Sequence, residues 1–269
     1  MSDGGEAVLD AAFIEGSRGK LFCALRLPKG EPRHAVMVVP AFGDEMNKTR
    51  RMITETAKRL NESQVAVLTP DLFGTGDSEG KFADAAWSGW IEDLVAVRAW
   101  AARRNLNLKG LIGIRTGALL AAEFVRMHED GGVQTTVFWQ PVLSGRHFVR
   151  QILRVRTMAN AVNSGARESI DDLIAAVESG EKVLAGGYEL GKSIIEPLLS
   201  ADLTQLASKG LGSLHAIEVT RVEEKCGVYS EQFGDVSLRG VRCLGEPYWA
   251  STETVCDMNV VSGTVELLG

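Results

Sequence analysis

Short apolar runs alternate with amphipathic stretches along most of this chain, and this alternation constrains its fold more than any other feature. Uninterrupted apolar runs are typical of strands buried on both faces of a sheet. Such runs lie at 35–39, 65–69, 108–113 and 133–138. Stretches with apolar residues at helical spacing lie at 48–61, 87–104 and 116–127. Strands that alternate with helices predict a mostly parallel sheet with helices on both faces.

Two parts of the chain depart from this alternation. Residues 8–14 and 20–27 are strand-like and are joined by a polar turn, which predicts a hairpin. Residues 144–210 predict successive helices with no strand between them. The helical patterns lie at 147–162, 168–178 and 191–208. We therefore divide the chain into a core, 1–143 and 211–269, and an inserted helical cap, 144–210.

The last part of the chain returns to the strand pattern. Residues 213–220 and a segment near 238–244 predict two further strands. Residues 258–268 are also strand-like, and we expect a strand there, although a terminal helix is usual in this architecture.

The charge and the apolar runs of the sequence argue against nucleic acid and membranes as partners. A formal net charge of −6 argues against nucleic acid, which requires a basic face. The basic cluster Arg146, Arg150, Arg154 and Arg156 has the spacing of a solvated helix face. No apolar run approaches the roughly 20 residues that span a bilayer, and residues 1–13 lack the basic and apolar regions of a signal peptide. We therefore expect a cytoplasmic protein without a membrane span.

The sequence predicts no cofactor and no metal. Its four cysteines have no CxxC spacing, so we interpret them as thiols of a reducing compartment. It also lacks the glycine-rich phosphate loops of nucleotide-binding proteins.

Four segments together resemble one superfamily. They read PAFGDEMNKTRRM at 40–52, DLFGTGDSEG at 71–80, GIRTGALLA at 113–121 and WQPVLSGRHFVRQILRVR at 139–156. The second resembles the D-x-x-G-x-G-x-S loop of α/β-hydrolases, and the third places Gly113 and Gly117 in register with the glycines of the G-x-S-x-G nucleophile elbow. The first and fourth are similar to the exosortase A system-associated hydrolase (type 2) family of bacterial exopolysaccharide and protein-sorting loci. The resemblance implies the α/β-hydrolase fold.

The predicted elbow carries an arginine where the superfamily has its nucleophilic serine. Arg115 cannot attack a carbonyl because a guanidinium stays protonated and has no free lone pair. The resemblance places the catalytic histidine in the loop after the last core strand, but this loop reads GEPYWASTETVCD. The last histidine of the chain is His215, on an earlier strand, whereas His147 opens the cap and could reach the pocket. A conventional serine–histidine–aspartate mechanism is therefore not expected.

Other hydroxyl groups offer weaker alternatives. Thr116 follows Arg115, but its position favours capping of the next helix. Ser144, at the start of the cap, is the alternative nucleophile, although a turn or N-cap role is the simpler interpretation. Ser78, Asp71 and Asp77 belong to a loop in which such residues usually hydrogen-bond the backbone.

Arg115 opposes the dipole of the helix that follows it and needs a compensating group. One interpretation is an ion pair with Asp44 or Glu45. The other is an anion site, formed by Arg115, the backbone N–H groups of 116–117 and those of Ala41 and Phe42.

Two tryptophans are candidates for lining this pocket. Trp139 and Trp249 both follow strands at the edge of the sheet where α/β folds bind ligands.

Three functions remain open at this point. The first is a protein with a degenerate triad that binds an anionic small molecule, a sugar or a partner. The second is an unconventional serine-type hydrolase or acyltransferase that acts on an ester or acyl-sugar. The third is a scaffold, and a homodimer is compatible with each.

Overall fold

The computed structural model describes residues 8–128, 132–164, 168–207, 210–221, 233, 238–251 and 253–269. Its strands are β1 (Val8–Glu15), β2 (Lys20–Leu27), β3 (His34–Val39), β4 (Val65–Pro70), β5 (Leu108–Ile114), β6 (Thr135–Trp139), β7 (Val183–Ala185), β8 (Tyr188–Leu190), β9 (Ser213–Thr220) and β10 (Leu238–Leu244). Its helices are α1 (Asp44–Glu62), α2 (Trp87–Arg103), α3 (Gly117–Met127), α4 (Gly145–Ser164), α5 (Ile170–Glu178), α6 (Lys192–Ser200), α7 (Leu203–Leu206) and α8 (Met258–Leu268).

The described residues form a central sheet with the strand order β1-β2-β4-β3-β5-β6-β9-β10. The pairs from β4 to β10 are parallel, whereas β1 and β2 form the predicted antiparallel hairpin and β2 pairs antiparallel with β4. Parallel strands require crossover helices, and α1, α2 and α3 provide them. The alternation in the sequence predicted this mostly parallel sheet with helices on both faces, and the arrangement is the α/β-hydrolase fold that the resemblance implies.

Two apolar layers hold the helices against the sheet. On one face, α1 and α8 pack on the sheet through residues such as Met52, Leu60 and Val260. On the other face, α2, α3 and the helices of 144–210 pack through residues such as Leu94 and Leu119. Both faces are therefore covered, which explains why the inner strands are uninterrupted apolar runs.

The strand expected at 258–268 is wrong, because this segment is helix α8. Its buried residues Val260, Val261, Thr264 and Leu268 recur at helical spacing against α1 and β6. The side chain of Asp257 caps the helix by accepting the N–H of Asn259 at 2.9 Å. Burial of one face and a cap outweigh the strand preference of the valines and threonine.

Residues 144–210 contain α4, α5, α6 and α7, but the expected absence of strands between these helices is also wrong. A short antiparallel pair, β7 and β8, lies between α5 and α6. The two ends of the segment lie side by side, since Gly145 N–H donates to the Ala201 carbonyl at 3.0 Å and Leu203 N–H to the Leu143 carbonyl at 2.8 Å.

The described helices include none long and apolar enough to cross a membrane.

Candidate functional site

Arg115 lies on a tight turn between β5 and α3, at the carboxyl end of the parallel strands. Its φ of 52° lies in the left-handed region, which a side chain other than glycine rarely adopts. The two flanking glycines are required by close packing. A Cβ on Gly113 would lie 2.8 Å from the Cα of Ala118, and one on Gly117 would collide with the carbonyl oxygens of Val39 and Pro40. The turn therefore has the strained geometry of a nucleophile elbow.

The guanidinium of Arg115 is held by three neighbours. Its Nε and Nη2 each donate to Glu45 Oε1 at 3.2 Å, and its Nη1 donates to the backbone carbonyl of Gln140 at 2.8 Å. Its Cζ lies 4.7 Å from the ring centroid of Trp249, a cation–π contact. The ion-pair partner is thus Glu45, whereas Asp44 pairs with Lys48 at 2.6 Å.

The pair between Arg115 and Glu45 is mostly withdrawn from solvent, with side-chain exposures of 11% and 18%. Burial raises the pKa of the Glu45 carboxyl, and the charge and hydrogen bonds of Arg115 oppose that shift. Each charge therefore compensates the other, and removal of either leaves a poorly solvated partner.

The groups expected to converge on an anion are only partly available. Phe42 N–H donates to Thr116 Oγ1 at 3.4 Å, so one expected donor already has an acceptor. The expected capping role of Thr116 is wrong. Its buried hydroxyl accepts Phe42 N–H and makes no capping bond to α3. Ala41 is also buried, packed in the apolar layer beside α1.

Aromatic side chains fill the space beside Phe42. Its ring lies 5.8 Å from Phe82, 5.5 Å from Trp90 and 5.5 Å from Phe148, measured between centroids. Tyr188 of β8 extends this cluster, at 5.0 Å from Phe82. The segment 144–210 thus packs on the core through aromatic rings on this side of the elbow.

The two tryptophans predicted to line the pocket have different positions. Trp249 lies in the loop after β10 and stacks on Arg115. Trp139 does not line the pocket, because its side chain is fully buried between β6 and α8 and its indole N–H donates to Thr264 Oγ1 at 2.8 Å. It shares the α8 face of β6 with Val137, since alternate residues of a strand point to the same face.

A cleft of about 400 Å³ opens on the other side of Arg115. It is lined by Arg115, Gln140, Pro141, Val142, Leu143, Ser144, His147, Phe148, Gln151 and Glu218. Of the four histidines, all within the described part of the chain, His147 alone lines this cleft. Ser144 Oγ accepts the backbone N–H of His147 at 3.3 Å, which is the geometry of an N-cap for α4.

Other residues considered from the sequence serve the scaffold. The buried carboxylate of Asp71 accepts from Arg50 Nη2 at 3.1 Å and from Asp77 N–H at 2.9 Å. Ser78 Oγ donates to the Asp71 carbonyl at 2.6 Å and accepts Phe22 N–H at 2.8 Å. These bonds tie the 71–80 loop to β2.

The remaining histidines lie away from the elbow. His34 Nε2 contacts the Leu268 carbonyl at 3.1 Å, and the His128 ring lies 5.7 Å from the ring of Phe124. His215 is buried on β9. The described residues include no cluster of three histidine, cysteine or acidic side chains that could hold a metal ion.

The sequence analysis missed Gln140 and Glu218. Gln140 has a positive φ of 40°, its carbonyl binds Arg115 and its Oε1 accepts Val219 N–H at 2.7 Å. It lies within WQPVLSG, which served only as a family marker. Nothing in the sequence singles out Glu218, because its approach to the cleft depends on the pairing of β6 with β9.

The sequence matches the model of one protein family. The model of the serine aminopeptidase S33 family of hydrolases matches residues 30–178, which is more than half of the sequence. The chain belongs to this family. No curated protein sequence matches it significantly.

Solved structures resemble the chain over nearly its whole length. Est1E from Butyrivibrio proteoclasticus, with ferulic acid bound, is 18% identical with a TM-score of 0.72, and the match covers 95% of this chain and 97% of that one. The proline iminopeptidase of Mycobacterium smegmatis is 12% identical, with a TM-score of 0.64 and coverages of 96% and 97%. An esterase domain from Rhodothermus marinus is 16% identical, with a TM-score of 0.63 and coverages of 97% and 100%. At these identities the likeness concerns the fold alone, and the chain has the α/β-hydrolase fold.

Proposed function

We propose that this S33-family protein binds a small molecule in the cleft beside Arg115 and performs no hydrolysis at its elbow. One observation carries the proposal: Arg115 stands at the nucleophile position and is held by Glu45, Gln140 and Trp249. The resemblance assigns the catalytic base to the loop after β10. Among the described residues of that loop, Trp249 reaches the elbow through its contact with Arg115. An arginine stacked on tryptophan can neither attack a carbonyl nor transfer a proton.

The ligand proposed for this cleft carries a carboxylate or another anionic group, on a small molecule or a sugar. Glu45 presents its carboxylate to Nε and Nη2 of Arg115, so the guanidinium is already in the geometry that binds a carboxylate. An incoming anion would replace Glu45 while Arg115 keeps its contacts to Gln140 and Trp249. Because burial raises the pKa of Glu45, that carboxyl is easier to neutralise and displace than an exposed one.

The biological setting is proposed from the resemblance of residues 40–52 and 139–156. It places the protein with bacterial exopolysaccharide and protein-sorting systems, as the exosortase-associated type. In the same proposal, residues 144–210 act as a cap on a core formed by 1–143 and 211–269, and the cleft lies where the two meet.

Loss of catalysis is tested with a fluorophosphonate probe and a short-chain ester. Wild-type protein, Arg115→Ser and Ser144→Ala are compared as purified chains. We expect no labelling and no turnover above buffer for the wild type, because Arg115 stands at the nucleophile position and the Thr116 hydroxyl beside it is buried. Labelling of one wild-type serine together with turnover would show that the protein is a hydrolase and would identify the nucleophile.

Ser144 supports a second candidate function, an unconventional hydrolase or acyltransferase. Ser144, His147 and Glu218 line one cleft, so a hydroxyl, an imidazole and a carboxylate share the same space. In this candidate, labelling and turnover are present in the wild type and are lost in Ser144→Ala and His147→Ala. The N-cap bond from His147 N–H to Ser144 Oγ favours the structural role instead.

Ligand binding is tested with ferulate, the carboxylate that Est1E holds. Glu45→Gln removes the competing charge and is expected to bind ferulate at least tenfold more tightly than the wild type, whereas Arg115→Met is expected to lose binding. Asp44→Asn is the matched control, because Asp44 is exposed and pairs with Lys48. Equal affinities for Glu45→Gln and Asp44→Asn, measured by calorimetry, would refute the exchange of Glu45 for an anion.

A further inference from the structure

The hairpin at one end of the sheet has an open edge. β1 pairs with β2 along its full length, from Val8 opposite Leu27 to Glu15 opposite Lys20, without a bulge. Among the described residues, no strand pairs with its outer side. A sheet edge of eight residues presents unpaired N–H and C=O groups that another strand can bind.

The hydrogen bonds of β2 show which groups of β1 face outward. Lys20 N–H donates to Glu79 Oε2 at 2.8 Å, and the Phe22 carbonyl accepts Asp71 N–H at 2.8 Å. The backbone groups of Lys20 and Phe22 therefore point away from β1. Pairs in an antiparallel ladder alternate between bonded and non-bonded. The N–H and C=O groups of Leu9, Ala11 and Phe13 consequently face the open side.

This edge lacks several of the features that normally prevent pairing between chains. β1 contains neither lysine nor proline, and its register is continuous. β1 carries two charged residues. Glu15 ends the strand, and Asp10 forms an ion pair with Arg104 at 2.7 Å. The backbone groups on the outer side of β1 are therefore open to pairing with another strand.

The face of the hairpin beside this edge is apolar and exposed. Leu9 is 54% exposed and Phe13 is 62% exposed. Ala11 lies between them on the same face, and Phe22 packs its ring against Phe13 at 5.7 Å. The edge and the apolar face thus belong to one surface, which we call the β1 surface.

We propose that the β1 surface binds a second copy of this chain, so that two sheets join through antiparallel β1 strands related by a two-fold axis at Ala11. In this register Leu9 lies opposite the partner's Phe13 on both sides of the axis, which gives two apolar cross-strand pairs. Asp10 lies opposite the partner's Ala12, so no like charges face each other. A two-fold axis at Ala12 would instead place Leu9 opposite Glu15, and the side chains therefore select Ala11.

The experiment measures the mass of the full chain in solution by sedimentation and by light scattering over a range of concentrations. The wild type is expected at twice the 29.0 kDa chain mass at the higher concentrations. Ala11→Pro removes an outward N–H without removing a bond to β2, so it should fold as a monomer of 29.0 kDa. The double substitution Leu9→Lys with Phe13→Lys should also give a monomer, and it replaces Ala11→Pro if that variant does not fold.

Leu244→Lys is the matched control, since Leu244 is 54% exposed on the opposite edge strand. It should remain a dimer. A wild type that stays at 29.0 kDa at every concentration would overturn the proposal. So would a dimer that persists in the Leu9→Lys, Phe13→Lys variant, because the contact would then lie elsewhere.

Discussion

At the residue scale, the pair between Arg115 and Glu45 decides what the elbow can do. Its polar contacts hold a positive-φ arginine at the position that, in our proposal, corresponds to the nucleophile. A charge withdrawn from solvent is costly without its partner. The stability of the elbow should therefore depend on the two charges jointly rather than on either one alone.

The first prediction concerns this coupling. Arg115→Met should lower the free energy of unfolding by about 1–3 kcal/mol, because Glu45 loses its donors. Arg115→Met combined with Glu45→Gln should recover most of that loss, since no buried charge remains. Urea unfolding at pH 7 measures both. Equal stabilities for Arg115→Met and the double variant would contradict the prediction, because the unpaired Glu45 would then carry no penalty.

Asp93 of α2 is a second buried charge at the residue scale. It is fully buried, its Oδ2 accepts Phe73 N–H at 2.8 Å, and its Oδ1 has no partner among the described residues. Burial raises its pKa from 3.8 to about 6, and the Phe73 N–H opposes this shift. The folded chain therefore holds the Asp93 proton more tightly than the unfolded chain does.

The second prediction follows from that pKa. Below about pH 4 Asp93 is protonated in the folded and the unfolded chain, so it does not lower the free energy of unfolding. As pH rises toward the folded pKa of about 6, the buried carboxylate lowers the free energy of unfolding. Relative to the wild type, Asp93→Asn should gain up to about 3 kcal/mol between pH 4 and pH 8. Unfolding free energies measured across this range test the slope. A difference between Asp93→Asn and the wild type that does not change with pH would contradict the prediction.

At the scale of secondary-structure elements, helix α8 is stabilised by a contact that sequence patterns do not reveal. Thr264 Oγ1 accepts the indole N–H of Trp139 at 2.8 Å and donates to the Val260 carbonyl at 2.7 Å. Both residues of this contact, from β6 and α8, are fully buried. An unsatisfied buried N–H is expensive, so this bond fixes α8 on the sheet.

The third prediction tests that bond. Thr264→Val keeps the shape of the side chain but removes the acceptor, and should lower the unfolding free energy by about 1–3 kcal/mol. Trp139→Phe in the Thr264→Val background should cost less than Trp139→Phe alone. A double-mutant cycle by urea unfolding gives the coupling energy. Strict additivity of the two substitutions would mean that the bond contributes nothing.

The elements also show what a sequence pattern can determine. The inner strands were predictable because a strand buried on both faces is apolar throughout, as at 35–39. The Arg115 elbow was predictable because only glycine fits on either side. Residues 258–268 form a helix because one face packs against α1, which the local sequence does not show. The three-residue strands β7 and β8 are too short to leave a pattern. The burial of Trp139 on the α8 face of β6 and the position of Glu218 beside the cleft both follow from the register of the strands. No local sequence pattern contains that register.

At the scale of the whole molecule, the segment 144–210 and the core share one apolar layer. Phe148 of α4 is 5% exposed, and its ring contacts that of Phe42 edge to face. Leu198 of α6 and Leu119 of α3 belong to the same buried cluster. Because residues of 144–210 and of the core belong to one buried apolar cluster, we expect this segment to unfold together with the sheet.

The fourth prediction uses the position of the tryptophans, all five of which lie outside 144–210. Tryptophan fluorescence therefore reports the core, whereas far-UV circular dichroism also reports the cap helices. Phe148→Ala should lower the unfolding free energy by about 3–5 kcal/mol by opening a cavity, with both probes shifted equally. Val155→Ala, on the same helix but 62% exposed, should change little. If the dichroism signal of Phe148→Ala were lost before the fluorescence signal, the segment 144–210 would unfold independently of the core. The cleft beside Arg115 would then widen when this segment opens rather than through exchange of Glu45.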